Sequence, residues 1–165
     1  MGKVDFFQAK CRTDDIEESG FGICDDTIQP WAYPDYLDKS KWIVSVRNAK
    51  GQKITFIAVD KCLDIRDDEK EKVSTCDAIL TQNDSIVFVE LKDRDPPWIA
   101  KAMSQLKSTI DIFSKNHDIS KFKHKRAFAS NKKYPGYSYQ MQDEMDDFRR
   151  ETKVRLVIEA IEIVF

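Results

Sequence analysis

Ser85-Ile-Val-Phe-Val-Glu-Leu-Lys92 is the stretch that decides the fold. Four consecutive apolar residues, three of them β-branched, read as a strand covered on both faces, hence a central one. The strand ends on Glu90-Leu91-Lys92. Side chains alternate along a strand, so Glu90 and Lys92 share a face. A carboxylate and an ammonium at the end of a buried strand are costly unless they pair or serve a site.

Just upstream, Cys76-Asp-Ala-Ile-Leu80 reads as the partner strand, joined through Thr81-Gln-Asn-Asp84. A two-residue turn at Gln82-Asn83 or a four-residue loop over Thr81 to Asp84 sets Asp77 level with Phe88. That is one same-face step from Glu90. Downstream, Asp95-Pro-Pro97 predicts a helix start with Asp95 as N-cap and Pro96 at the first helical position. Ile99, Met103, Leu106, Ile110 and Phe113 then form a helical stripe expected to pack on the sheet.

Further out, Trp42 to Arg47 and Ile54 to Val59 flank Asn48-Ala-Lys-Gly-Gln52 and predict a hairpin. Val4, Phe7 and Cys11 recur at helical spacing ahead of Gly20, predicting a first helix over 3–18. The charged run from Asp64 to Lys72 reads as a solvated loop. A strand over Lys123 to Ser130, a helix over Tyr139 to Glu151 and a β-prone end over Val154 to Phe165 complete the order. A single α/β domain over residues 1–165 is expected, since 165 residues suffice for one core.

Asp77 and Glu90 are hard oxygen donors of the kind that hold Mg²⁺ or Mn²⁺ and leave positions for water and a phosphate. An adjacent lysine then serves to orient a water or to offset charge on phosphorus. Spacing alone says little, because Glu151-Thr-Lys153 and Asp68-Glu-Lys70 are similar triplets. Those two sit in polar surroundings. Only Glu90-Leu-Lys92 ends a buried strand, follows an aspartate on the preceding strand and precedes an amphipathic helix.

In these residues the chain resembles the PD-(D/E)xK nuclease superfamily, whose signature is an aspartate on one strand, (D/E)-x-K on the next, then a helix. The resemblance spans Ile54 to Ser130 and implies a restriction-endonuclease-like αβββαβ core, a central mixed sheet flanked by helices. It implies that Asp77 and Glu90 bind Mg²⁺ (or Mn²⁺), with the Leu91 carbonyl as a further ligand, and that Lys92 is catalytic. Gln105 resembles the glutamine that some members carry on the following helix. Others use an acidic residue of the first helix, for which Glu18, Glu17 and Asp14 are candidates. Cys76 stands where the name-giving proline would be, and Thr109 where a Q-x-x-x-Y pattern would have tyrosine. The implied function is a metal-dependent nuclease acting on DNA, in repair or in defence against foreign DNA. A catalytically inactive nuclease-fold binding or interaction protein is the alternative.

Charge qualifies that reading. The net charge is −2, with 14 Lys/Arg against 20 Asp/Glu in residues 1–100 and 13 against 9 in residues 101–165. Such a balance limits intrinsic affinity for nucleic acid and leaves room for a homo-oligomer or a partner subunit. Lys121, Lys123, Lys125, Arg126, Lys132 and Lys133, with His124, form the densest basic stretch, and the first four are the candidate phosphate contacts. No apolar run is long enough to span a bilayer, so no membrane association is expected. The start lacks the basic-then-apolar pattern of a signal peptide. A cytoplasmic location and four reduced cysteines, Cys11, Cys24, Cys62 and Cys76, are therefore expected.

Overall fold

The computed structural model describes residues 1–133, 141–158 and 160–165. It is a mixed α/β architecture of two mixed sheets and, among the described residues, two α-helices. The strands are β1 (Arg12–Ile16), β2 (Gly20–Cys24), β3 (Tyr33–Asp35), β4 (Val44–Arg47), β5 (Ile54–Ala58), β6 (Ala78–Gln82) and β7 (Ser85–Lys92). The helix α1 (Ile99–Asn116), strand β8 (His124–Asn131), helix α2 (Gln142–Thr152) and strands β9 (Arg155–Ile158) and β10 (Glu162–Val164) follow.

Six strands form one sheet in the order β1-β5-β6-β7-β8-β9, and four form the other in the order β10-β4-β2-β3. Strands β5, β6 and β7 run as an antiparallel meander, and α1 then carries the chain across to β8, parallel to β7. Val87, Phe88 and Val89 are fully buried, as expected for a strand covered on both faces. On one face α1 seats Leu106, Ile110 and Phe113, with Phe113 edge-on to Phe88 at 5.7 Å. Burying each such side chain contributes about 1.5–3 kcal/mol. On the other face lies the second sheet: β3 contacts β5, and Arg126 of β8 donates to the Val164 carbonyl of β10 at 2.9 Å. Ile99 and Met103, expected in the stripe, are only partly buried.

Three expected elements differ in the structure. The first helix is absent: residues 9–11 make a single 3-10 turn and residues 12–16 are an edge strand paired with β5. Phe6 and Phe7 pack around Phe113 and His117 at the end of α1, so tertiary contacts override the helical spacing. Strands β4 and β5 are not a hairpin but belong to different sheets. The buried Asn48 side chain bonds Gln52 O and the Gln82 amide, turning the chain from one sheet into the other. Helix α1 begins at Ile99 rather than Pro96, because a residue before proline is pushed out of the helical region.

The cysteines are not all reduced. Cys11 and Cys62 form a disulfide with 5.8 Å between their Cα atoms, while Cys24 and Cys76 are free and buried. Pairing of β1 with β5 brings the two together, and the cytosolic argument for reduced thiols fails for this pair. The strand and second helix expected near the C-terminal end are present as β8 and α2; Tyr139 and Gln140 lie outside the described residues. The segment after α2 splits into β9 and β10, one in each sheet. No helix among the described residues is long and apolar enough to cross a membrane.

Candidate active site

The β6–β7 register brings the acidic residues together more tightly than the sequence suggested. Gln82 pairs with Ser85, so the turn is Asn83-Asp84, with Asn83 at a φ of 49° that asparagine tolerates. Ala78 then pairs with Val89, and Asp77, just ahead of it, comes level with Glu90 instead of Phe88. The Asp77 Oδ2 accepts the Leu91 amide at 2.7 Å. In an extended strand the N–H and C=O of one residue point to the same side, so the Leu91 carbonyl also faces Asp77.

Glu90 is 1% exposed, Asp77 7% and the Lys92 side chain 12%. Lys92 Nζ lies 2.6 Å from Glu90 Oε1 and donates to Gln105 Oε1 at 2.9 Å. Gln105 Nε2 in turn donates to the Thr75 carbonyl at 3.1 Å. One turn further along α1, Thr109 Oγ1 accepts the Cys76 amide at 2.7 Å and donates to the Gln105 carbonyl at 2.8 Å. The helix thus holds both the ammonium of Lys92 and the backbone leading into Asp77.

Glu90 Oε2 is buried without a hydrogen-bond partner. Burial, and next the charge of Asp77, pushes the Glu90 carboxyl up to about 9 despite Lys92. Burial likewise raises Asp77 to about 7, against the Leu91 amide, which lowers it. Asp25 and Asp60 add smaller upward pushes on Asp77, and Asp60 does so on Glu90. Asp25 follows β2 and lies 3.8 Å from Lys61, and Asp60 follows β5 and accepts from Lys72 at 3.1 Å. The charges of Asp25 and Asp60 therefore add to the negative field at the two buried carboxyls.

Among the described residues, no group of three or more His, Cys, Asp or Glu side chains is arranged to hold a metal ion. The available donors are two carboxylates and the Leu91 carbonyl, a set that suits Mg²⁺ or Mn²⁺ when water and substrate complete the shell. The orphaned Glu90 Oε2 and the raised carboxyls both follow from burying two neighbouring carboxyl groups with few hydrogen-bond donors in reach.

The other candidates lie elsewhere. Glu18 is exposed between β1 and β2, where its charge acts on Tyr36. Asp14 is exposed on β1 and pairs with Arg12 at 2.9 Å, and Glu17 is exposed beyond it. Lys121, Lys123, Lys125 and Arg126 sit at the opposite end of the sheet, because His124 pairs with Ser85 while Lys92 pairs with Asn131. From Ser85 to Glu90 is roughly 16 Å of strand. Sequence reasoning missed Asp25 and gave Thr109 no role. The four-residue step from Gln105 to Thr109 placed both on one helix face, but nothing local tied Asp25 to β7. No protein-family model, curated protein or solved structure matches this chain.

Proposed function

We propose that the protein is a metal-dependent nuclease of the PD-(D/E)xK type that hydrolyses phosphodiester bonds in DNA. The observation that carries this reading is the unpartnered, buried Glu90 Oε2 beside Asp77, with Lys92 held on Gln105. The meander β5–β6–β7 followed by α1 and parallel β8 supports a restriction-endonuclease-like core, without the helix expected ahead of it.

Asp77, Glu90 and the Leu91 carbonyl would hold Mg²⁺ or Mn²⁺. Such an ion supplies Lewis-acid charge to a phosphate and acidifies a water. Lys92 presents its ammonium where negative charge develops on phosphorus, and its position is fixed before substrate arrives by Glu90 and Gln105. Gln105 positions Lys92. Thr109 fixes the Cys76 amide and so the approach of Asp77.

One observation favours the alternative of an inactive nuclease-fold binding protein. Lys92 already takes one oxygen of Glu90, as a purely structural ion pair would. Incubating the protein with single- and double-stranded DNA and RNA, with Mg²⁺, Mn²⁺ or EDTA, separates the two. Cleavage lost in EDTA, in Asp77→Ala and in Lys92→Ala supports the nuclease. Absence of cleavage by the wild type, with no Mn²⁺ binding in calorimetry, supports the binding protein.

A further inference from the structure

The end of the six-stranded sheet remote from Asp77 and Glu90 carries a second concentration of charge, of opposite sign. Between the starts of β7, β8 and β9 and the end of β10 lies a cavity of about 430 Å³. Lys50, Lys123, Lys125, Arg126, Arg149 and Arg155 line it, with no aspartate or glutamate side chain in its walls among the described residues. None of these six forms a salt bridge among the described residues.

Two of them are set against each other. Arg126 of β8 and Arg155 of β9 are directly paired in the parallel register. Like charges placed opposite one another on neighbouring strands are destabilising. Arg126 cannot swing away: it donates to the Val164 carbonyl at 2.9 Å and lies over the Phe128 and Phe165 rings at 5.5 and 5.4 Å. Burial, then the charge of Arg155, disfavours its cationic form, yet a guanidinium stays protonated in water. The arrangement therefore keeps a half-buried cation beside a second one, with no aspartate or glutamate side chain among the described wall residues.

We propose that this cavity is an anion site for a phosphate group, bound between Arg126 and Arg155 and rimmed by Lys50, Lys123 and Arg149. Paired guanidinium forks suit tetrahedral oxyanions, and a bound phosphate relieves the repulsion between the two arginines. The phosphate has two chemical sources: a small polyphosphate, or the backbone of a nucleic-acid strand. The site stands independently of the nuclease reading, since it shares no residue with Asp77, Glu90 or Lys92.

The test uses the full chain carrying Asp77→Asn, so that nothing is cleaved, with and without Arg155→Glu and Lys123→Glu. Pyrophosphate binding is followed by calorimetry, and binding of a labelled single-stranded oligonucleotide by anisotropy at two salt concentrations. Pyrophosphate is expected to bind and to raise the melting temperature, with affinity weakened about tenfold by Arg155→Glu. Binding of the oligonucleotide alone, weakened threefold or more by the same substitutions, assigns the phosphate to a strand. Binding of neither probe, or a change below threefold in folded variants, overturns the site. Arg155→Gln supplies a second readout: in anion-free buffer it is expected to melt above the wild type, and a lower melting temperature counts against the proposed repulsion.

Discussion

Gln105 Oε1 lies 2.9 Å from Lys92 Nζ, and the same side chain's amide nitrogen reaches the Thr75 carbonyl two residues ahead of Asp77. One helix side chain thereby ties the ammonium on β7 to the segment that delivers the aspartate.

Gln105→Ala is expected to lower kcat about 10- to 100-fold while leaving the fold intact, since positioning a catalytic group accounts for losses of that order. Gln105→Glu keeps an acceptor for Lys92 and should recover part of the rate. Single-turnover cleavage by the two variants, with circular dichroism as a control, checks this. Equal rates for Gln105→Ala and wild type would remove Gln105 from the machinery.

Thr109→Val is expected to cost stability, not only activity. Its hydroxyl is the acceptor for the fully buried Cys76 amide, and valine leaves that N–H unpaired. An unsatisfied buried donor costs about 1–3 kcal/mol. Thr109→Ser retains the acceptor and should lose less. Urea unfolding of the three proteins measures the difference.

The central part of this architecture was legible because it is local. Strand β7 announces itself through Ile86 to Val89, and Pro96 and Pro97 mark the boundary ahead of α1. The pairing of Asp77 with the end of β7 was legible to within two residues, and the error came from the turn. The sequence alone does not distinguish Gln82-Asn83 from Asn83-Asp84, whereas the cross-strand pairing of Gln82 with Ser85 does. What was not legible depends on distant partners. Residues 12–16 become a strand only because β5 offers an edge, and Asp25, just past β2 of the other sheet, acts on Asp77 through its charge alone. The basic residues of β8 are candidate phosphate contacts in the sequence, and direction along a parallel strand places them at the end of the sheet away from Asp77 and Glu90.

The Cys11–Cys62 disulfide closes a sequence separation of 51 residues between the start of β1 and the turn after β5. In the chain-entropy account a loop of that length stabilises the folded state by about 4 kcal/mol. Reduction, or Cys11→Ser with Cys62→Ser, is expected to lower the urea midpoint markedly. Because Cys62 is two residues from Asp60, whose charge reaches Asp77 and Glu90, Mn²⁺ affinity in the reduced protein should also fall. Urea unfolding and Mn²⁺ calorimetry, each with and without reductant, measure the two effects.

Asp77 and Glu90, pushed up to about 7 and about 9 from ordinary values of 3.8 and 4.5, hold protons more tightly folded than unfolded. Between about pH 4 and 9 these two groups therefore bind more protons in the folded than in the unfolded chain, and their contribution to stability falls as pH rises. The contribution is fully present below the unfolded values and lost through the folded ones. Glu90→Gln removes the larger part of that slope, so its stability relative to wild type should climb by more than about 1 kcal/mol between pH 5 and 9. Mn²⁺ replaces the protons with a cation, and saturating Mn²⁺ should flatten the wild-type slope while leaving Glu90→Gln unmoved. Parallel slopes for wild type and Glu90→Gln, measured by urea unfolding in EDTA, would show that the Glu90 carboxyl is already ionised on Lys92. The 2.6 Å ion pair would then be the resting state of the site, and the demand for a cation would rest on Asp77 alone.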